Sequence, residues 1–549
     1  MSHRADGKGA HGSTPPEVRA VNLAELLRQS ARRFPDRDAV VAGERRVPWR
    51  ELDARVDAVA AALASDGLGP GDTVLVHSPN HIEFIEVMFA IWRIGATFAP
   101  TNFRVTPQDA AGLAEVCQPS AVICHVDYRE HASSVVDVAQ DASDPWWIGA
   151  PPDTERSIAG VPPTDRGPAA VVMPGDHAWY FFTSGTSGRP KAAVLTHEQM
   201  GFVVTNHLCD LMPGLTQEDA QVVVAPLSHG AGIHLLTQVA RAAKTILPQS
   251  AGLDPAEVWQ LVERERVSNV FTVPTILKVL TEAPSATEHD HSSLRYVVYA
   301  GAPMYLADSE HARHILGEVL VQYYGLGEVT GNITVLPPQE HKRLSPDGVE
   351  FGSCGYPRTG MQISIQDQDG REVGPWAKGE ICVAGPAVCH GYLNDEQANA
   401  ESFRDGWFHT SDLGMLDSEG YLYITGRASD MFISGGSNVY PREIEEKMLK
   451  HPQISEVAVL GMPDLQWGEV GVAICVPAPG EDLDTDEIRE FLKGRLASYK
   501  VPKRVLVWQE IPKSGYGKIV KRTLRELVQA KDRDQPPKDA RFDRTAGAS

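Results

Sequence analysis

From Gly71 to about Leu336 the chain alternates short apolar runs with stretches of helical hydrophobic period. Thr73 to His77 reads as a strand, and His81 to Arg93 as the helix behind it. Ala121 to Cys124 and then Tyr128 to Asp141 repeat the pattern. So do Val222 to Ala225 with Ile233 to Ala243, and Lys244 to Leu247 with Pro255 to Val267. Val270 to Val273 and Tyr296 to Tyr299 are further strands, each ending at a Gly or Pro. Strands separated by helices predict an α/β fold with mostly parallel sheets flanked by helices. In such sheets ligands sit at the carboxyl ends of strands, where these punctuated loops lie.

The texture changes at Ser353. Short β-rich runs such as Gln362 to Gln366 and Glu380 to Ala384, parted by Gly and Pro, predict a small barrel-like subdomain up to Gly420. After Arg427 a compact α+β pattern follows. Arg442 to Leu449 and Asp486 to Leu496 read as helices, Val457 to Leu460 and Val472 to Val476 as strands. The boundary falls at Ala428 to Asp430, dividing a large domain, 17–428, from a small mobile one, 429–532. Residues 1–16 and 533–549 are expected to be disordered tails, and the Pro/Ala-rich stretch 142–167 a surface insertion.

A length of 549 residues calls for more than one core. Apolar content of 42% with 22% charged residues is that of a water-soluble protein. A net charge of −21 argues against nucleic acid or an anionic membrane as a bulk partner, though not against a nucleotide in one cleft. The seven cysteines are scattered with no CxxC pair, which argues against a zinc site or disulfide framework and points to the reducing cytoplasm. No apolar stretch reaches membrane-spanning length, and Met1 to Pro16 has no apolar core of a signal peptide.

One loop carries candidate chemistry. Ala178 to Phe182 reads as a strand, and it runs into Thr183, Ser184, Gly185, Thr186, Ser187, Gly188, Arg189, Pro190 and Lys191. Small and hydroxylated residues expose backbone N–H groups beside hydroxyls, and two cations add positive charge, so the loop suits phosphate. It lacks the Walker order of Gly-Lys-Ser/Thr after four spacers. By itself it reads equally as a solvated Gly/Ser loop.

Four further motifs follow in order: Tyr324-Gly-Leu-Gly-Glu328; Trp407-Phe-His-Thr-Ser-Asp412; Gly426-Arg-Ala-Ser-Asp430 with Gly435-Gly-Ser-Asn438; and Lys513-Ser-Gly-Tyr-Gly-Lys518. With these the chain, from about Leu23 to about Leu527, resembles the adenylate-forming superfamily that includes acyl-CoA synthetases, carrier-protein adenylation domains and firefly luciferases.

The resemblance implies ATP-dependent activation of a carboxylic acid as an acyl-adenylate, then transfer to the thiol of coenzyme A. It implies ATP, Mg2+ and CoA as the cofactors. Thr183 to Lys191 would grip the β- and γ-phosphates, with Glu328 and Thr186 at the metal. Gly301, Ala302 and Pro303 would bound the adenine with Tyr324, and Asp412 and Arg427 would hold the ribose. Lys518 would bridge the carboxylate and the α-phosphate. His229 resembles a residue that gates the acyl pocket or orients the acid; a buried structural histidine is the competing reading. A swing of the small domain would bring Gly435 and Gly436 inward to line a pantetheine tunnel.

Gly327 stands where the family usually has Thr, so the α-phosphate contact must come from elsewhere, Thr330 or a backbone amide being the candidates. Ser429 stands at a hinge usually Asp or Lys, and Ser411 replaces a common Gly. Other readings are an enzyme loading a carrier protein or an amine, an unusual non-carboxylic acid, or a non-catalytic nucleotide-binding protein. The resemblance implies an acid pocket lined near His229, Ala300, Gly301, Tyr324, Thr330 and Gly331, which include no Arg or Lys and so favour aromatic or medium acyl groups over dicarboxylates. The oligomeric state, homodimer or otherwise, is left open.

Overall fold

A computed structural model describes residues 18–534 apart from 141, 143, 166, 185–189, 251, 344–351, 435–436, 465 and 514–518. Two mostly parallel sheets form its larger part. In the seven-stranded sheet Leu320–Gln322, Tyr296–Tyr299, Asn269–Thr272, Ala220–Val223, Lys244–Leu247 and Asp38–Ala42 run parallel, and Arg45–Pro48 closes one edge antiparallel. In the six-stranded sheet Trp146–Ile148, Ala121–His125, Thr73–His77, Thr97–Thr101 and His177–Ser184 run parallel. Pro190–Thr196 then turns back antiparallel. Strands covered on both faces read as continuous apolar runs, and that is why their limits were visible in the sequence.

The stretch 142–167 is less peripheral than expected: Trp146–Ile148 joins the sheet, and Ile158 and Val161 are buried. Helices Ala24–Arg33, Trp49–Ser65 and Ile82–Arg93 pack around a buried charge cluster. There Arg93 reaches Asp53 at 2.7 Å and Asp57 at 2.9 Å, and Arg28 reaches Asp57 at 2.7 Å. Pairing of each charge offsets the cost of removing it from water.

The β-rich region is a five-stranded antiparallel sheet in which Trp407–Leu416 pairs with Gly379–Ala384, Phe403–Arg404 and Leu422–Arg427. A last sheet is built on the ribbon Ile454–Asp464 with Gly468–Pro477, flanked by the helices Pro441–Met448 and Lys521–Asp534. The latter helix extends through positions 533 and 534, expected to belong to a tail; the rest of both expected tails lies outside the described residues.

Polar contacts join this last unit to the rest. Lys278 Nζ donates to the Ser455 carbonyl at 3.1 Å, Arg442 Nη1 to the Ile424 carbonyl at 3.0 Å, and the Tyr305 hydroxyl to Glu445 at 3.5 Å. No described helix is long and apolar enough to cross a membrane.

Candidate active site

The hairpin His177–Ser184 with Pro190–Thr196 pairs Thr183 with Lys191, so both ends of the Ser/Gly/Thr loop leave one ladder side by side. Gly185, Thr186, Ser187 and Gly188 lie outside the described residues, and of Ser184 only the strand position is described. Lys191 Nζ sits 4.8 Å over the ring of Tyr392. The same tyrosine's hydroxyl donates to Oε1 of buried Glu328 at 2.9 Å. A cation, a π face and a carboxylate thus stand in line beside the loop. Tyr392 carries no motif signal; only its tertiary position, against Ala193 of the hairpin, reveals it.

Glu328 lies in a short 3-10 turn, Gly327–Val329, just beyond the edge strand Leu320–Gln322. The chain folds back on itself here: a Cβ at Gly325 would lie 2.3 Å from the Gly331 Cα, and Gly331 has φ +77°. Two glycines are required for that approach. A Cβ at Gly327 would meet Cδ1 of Phe181 at 2.5 Å and Cγ2 of Thr183 at 3.1 Å. The expectation that Thr330 supplies the missing hydroxyl is corrected. Its side chain is buried, donates to the Val329 carbonyl at 2.7 Å and accepts from Asn332 at 3.3 Å.

Tyr324, Asp412 and Arg427 come together. The Tyr324 hydroxyl donates to Asp412 Oδ2 at 2.6 Å, and Arg427 Nε donates to Oδ1 at 3.0 Å. Asp412 and Arg427 face each other across a ladder, which fixes their spacing before any ligand arrives. The Asp412 charge, first among the causes, pushes the Arg427 guanidinium up, and burial followed by the same charge pushes the Tyr324 phenol well above its ordinary value. Gly301, Ala302 and Pro303 leave the carboxyl end of Tyr296–Tyr299, beside the parallel strand that leads into Tyr324. Both loops therefore open at the same edge of the sheet.

His229 caps the helix Gly230–Arg241, with Nδ1 3.0 Å from the Ser228 hydroxyl and its ring edge-on to Phe181 at 5.1 Å. One turn into that helix is His234, stacked on Phe271 at 4.3 Å and 4.7 Å from the ring of His207. Burial depresses the His234 pKa to about 3 and that of His207 well below its usual value. Arg358 is fully buried against them. The sequence reading missed this group, since none of its members lies in a motif and they come together only in the fold.

Gly435, Gly436 and Lys518 lie outside the described residues. The segment carrying Lys518 is flanked by a bridge between Lys513 and Ile519, and Lys513 pairs with Glu456 at 2.8 Å.

A fold of two helix-flanked, mostly parallel sheets, with carboxylates at a loop edge beside a Ser/Gly/Thr hairpin loop, is the arrangement of a nucleotide-dependent adenylating protein. The chain belongs to the AMP-binding enzyme family: that family's model matches residues 27–393, and the AMP-binding enzyme C-terminal domain matches 443–518. It is similar to a feruloyl-CoA synthase of Amycolatopsis, 36% identical over 90% of this chain and 96% of the relative. It is also similar to an indoleacetate–CoA ligase of Aromatoleum aromaticum, 34% identical over 93% of this chain and 99% of that one. Among solved structures it resembles the amide bond synthetase McbA from Marinactinospora thermotolerans, with TM-score 0.84 and 27% identity over 92% of this chain and 99% of that one.

Proposed function

We propose that the chain is an AMP-forming acid:CoA ligase. The observation that carries this reading is the pairing of Tyr324 and Arg427 on Asp412, with Tyr324 itself in one of the loops that would bound an adenine. A buried carboxylate held from two sides suits the ribose hydroxyls of ATP. The residues 183–191 bind the phosphates, and Lys191 adds charge there.

Glu328, a fixed carboxylate beside that loop, fits a hard divalent cation, and Thr186 would join it. Mg2+ bound there would neutralise phosphate charge. A carboxylate oxygen of the acid attacks the α-phosphorus, the bond to pyrophosphate breaks, and Lys518 supports the charge on the attacked phosphate. In the second step the CoA sulfur attacks the acyl carbon and the bond to AMP breaks. Gly435 and Gly436 would leave room for the pantetheine arm after the unit 429–532 swings relative to 17–428. The relatives that join feruloyl and indoleacetyl acids to CoA support this acceptor. All seven cysteines are free, which supports a cytoplasmic setting.

The test is incubation of the pure protein with Mg-ATP and a broad acid panel, with and without CoA, read by mass spectrometry. A new acyl-CoA with matching AMP establishes the ligase. Adenylate without thioester moves the acceptor to a carrier protein or an amine, and no AMP from any acid overturns the reading.

A further inference from the structure

Arg358 is a fully buried charge with incomplete pairing. Its side chain has no solvent exposure, and its Nε and Nη1 have no hydrogen-bond partner among the described residues. Nη2 lies 3.2 Å from Nδ1 of His207, but that nitrogen also lies 3.0 Å from the Val203 carbonyl. A neutral imidazole nitrogen either donates to the carbonyl or accepts from the guanidinium, not both. Asp210 is the nearest carboxylate, 3.7 Å from Nε. Its oxygens are already engaged, Oδ1 by the Thr359 hydroxyl at 2.8 Å and Oδ2 by the Thr359 amide at 2.8 Å and Asn206 at 3.2 Å. His234, 2% exposed, likewise has no partner for Nε2.

Buried donors left without acceptors are rare, because each keeps the cost of leaving water and gains nothing in exchange. These donors are also not randomly placed. His234 is one helical turn beyond His229, and Phe271, on which it stacks, is pressed by Gly230. Tyr323 precedes Tyr324 and is pressed by Gly331. The Arg358 amide donates to the Ile333 carbonyl at 3.0 Å, which ties it beneath the loop that carries Glu328. The unpaired donors therefore lie close to the helix that His229 begins and to the loop that carries Glu328.

We infer that Arg358, with His234, recognises a hydrogen-bond-accepting oxygen at the end of the acid remote from the reacting carboxyl. The oxygen is that of a second carboxylate or of a neutral carbonyl or hydroxyl. This rests on the adenylation reading above and narrows its substrate class. It departs from the expectation that no basic residue stands ready in the pocket: Arg358 is distant in sequence from every motif and reaches the cluster only through the fold.

The test is ATP–pyrophosphate exchange with matched acids: cinnamate against its 4-hydroxy, 4-acetyl and 4-carboxy derivatives, and hexanoate against adipate and 5-oxohexanoate. Wild-type protein is expected to favour the oxygen-bearing member of a pair on the order of a hundredfold in kcat/KM, since a site with unpaired buried donors rejects the analogue that cannot fill them. The 4-carboxy and adipate arms separate an anion from a neutral acceptor. Arg358→Leu is expected to erase the preference while leaving the plain acid within about threefold, and His234→Phe, which keeps the ring stack, to weaken it. Equal exchange with both members of every pair in the wild type, or a preference that survives Arg358→Leu, overturns the inference alone. Exchange with no acid at all overturns the adenylation reading and this one with it.

Discussion

Phe181 occupies the space that a side chain at position 327 would need: a Cβ built on Gly327 lies 2.5 Å from its Cδ1. The two residues are one choice, because a larger residue at 327 requires a smaller one at 181. Gly327→Thr alone is expected to cost about 1–3 kcal/mol in stability from overpacking and to slow adenylation, because Phe181 also packs on His229 at 5.1 Å. Adding Phe181→Ala should restore part of the loss. Thermal unfolding and pyrophosphate exchange on the two single variants and the double one measure the coupling, and strictly additive effects would refute it.

Lys518→Ala tests the proposed role of that lysine. Adenylation should fall by roughly two orders of magnitude or more, as when a charge-stabilising group is removed, while ATP binding by calorimetry stays near the wild-type value. Wild-type turnover in this variant would remove the lysine from the mechanism.

Tyr324→Phe deletes the 2.6 Å bond to Asp412 and leaves the ring in place. A hydrogen bond to a charged group contributes about 1.5–3 kcal/mol. Because Asp412 is proposed to bind ribose equally in ground and transition states, the loss should appear as a higher KM for ATP with little change in kcat. A fall in kcat at unchanged KM would instead place Tyr324 in the chemical step.

Glu446 gives a pH signature. Burial pushes its pKa up to about 7, against the smaller opposing effects of Arg442, the Leu306 amide and Lys450, and with help from Glu445. The unfolded chain releases this proton near the ordinary carboxylate value, so between about pH 4.5 and 7 the folded state holds a proton that the unfolded state has lost. Stability contributed here therefore falls as pH rises, and the penalty is complete above 7, at ~3 kcal/mol. Glu446→Gln should raise the melting temperature at pH 8 and change it little at pH 4. Equal shifts at both pH values would show that the carboxyl's titration is not the cause.

The parallel strands were the most legible part of the molecule. Thr73–His77, Lys244–Leu247 and Tyr296–Tyr299 have the limits the apolar runs marked, because strands buried on both faces admit few polar residues. Elements whose ends carry polar or turn-forming residues were drawn too short or too long. Ile454–Asp464 extends well past the apolar stretch Val457 to Leu460, and the helix expected over Tyr128 to Asp141 is regular only over Arg129–Val136. At the site, Tyr324, Asp412 and Arg427 could be named because each lies in a short motif, and the fold brings them together. Tyr392 and Arg358 could not, since one acts through Glu328 and the other through a cluster assembled from distant segments.

Three of the contacts between the last unit and the rest have a mechanical consequence. Two end on main-chain carbonyls, at Ser455 and Ile424, and the third, Tyr305 to Glu445, is long at 3.5 Å. Arg442 and Glu445 are buried, so water replaces these bonds only as the seam opens, and the exchange then returns most of their strength. In the proposed swing such a seam is a detent: it defines a resting angle that the small unit must leave before it turns.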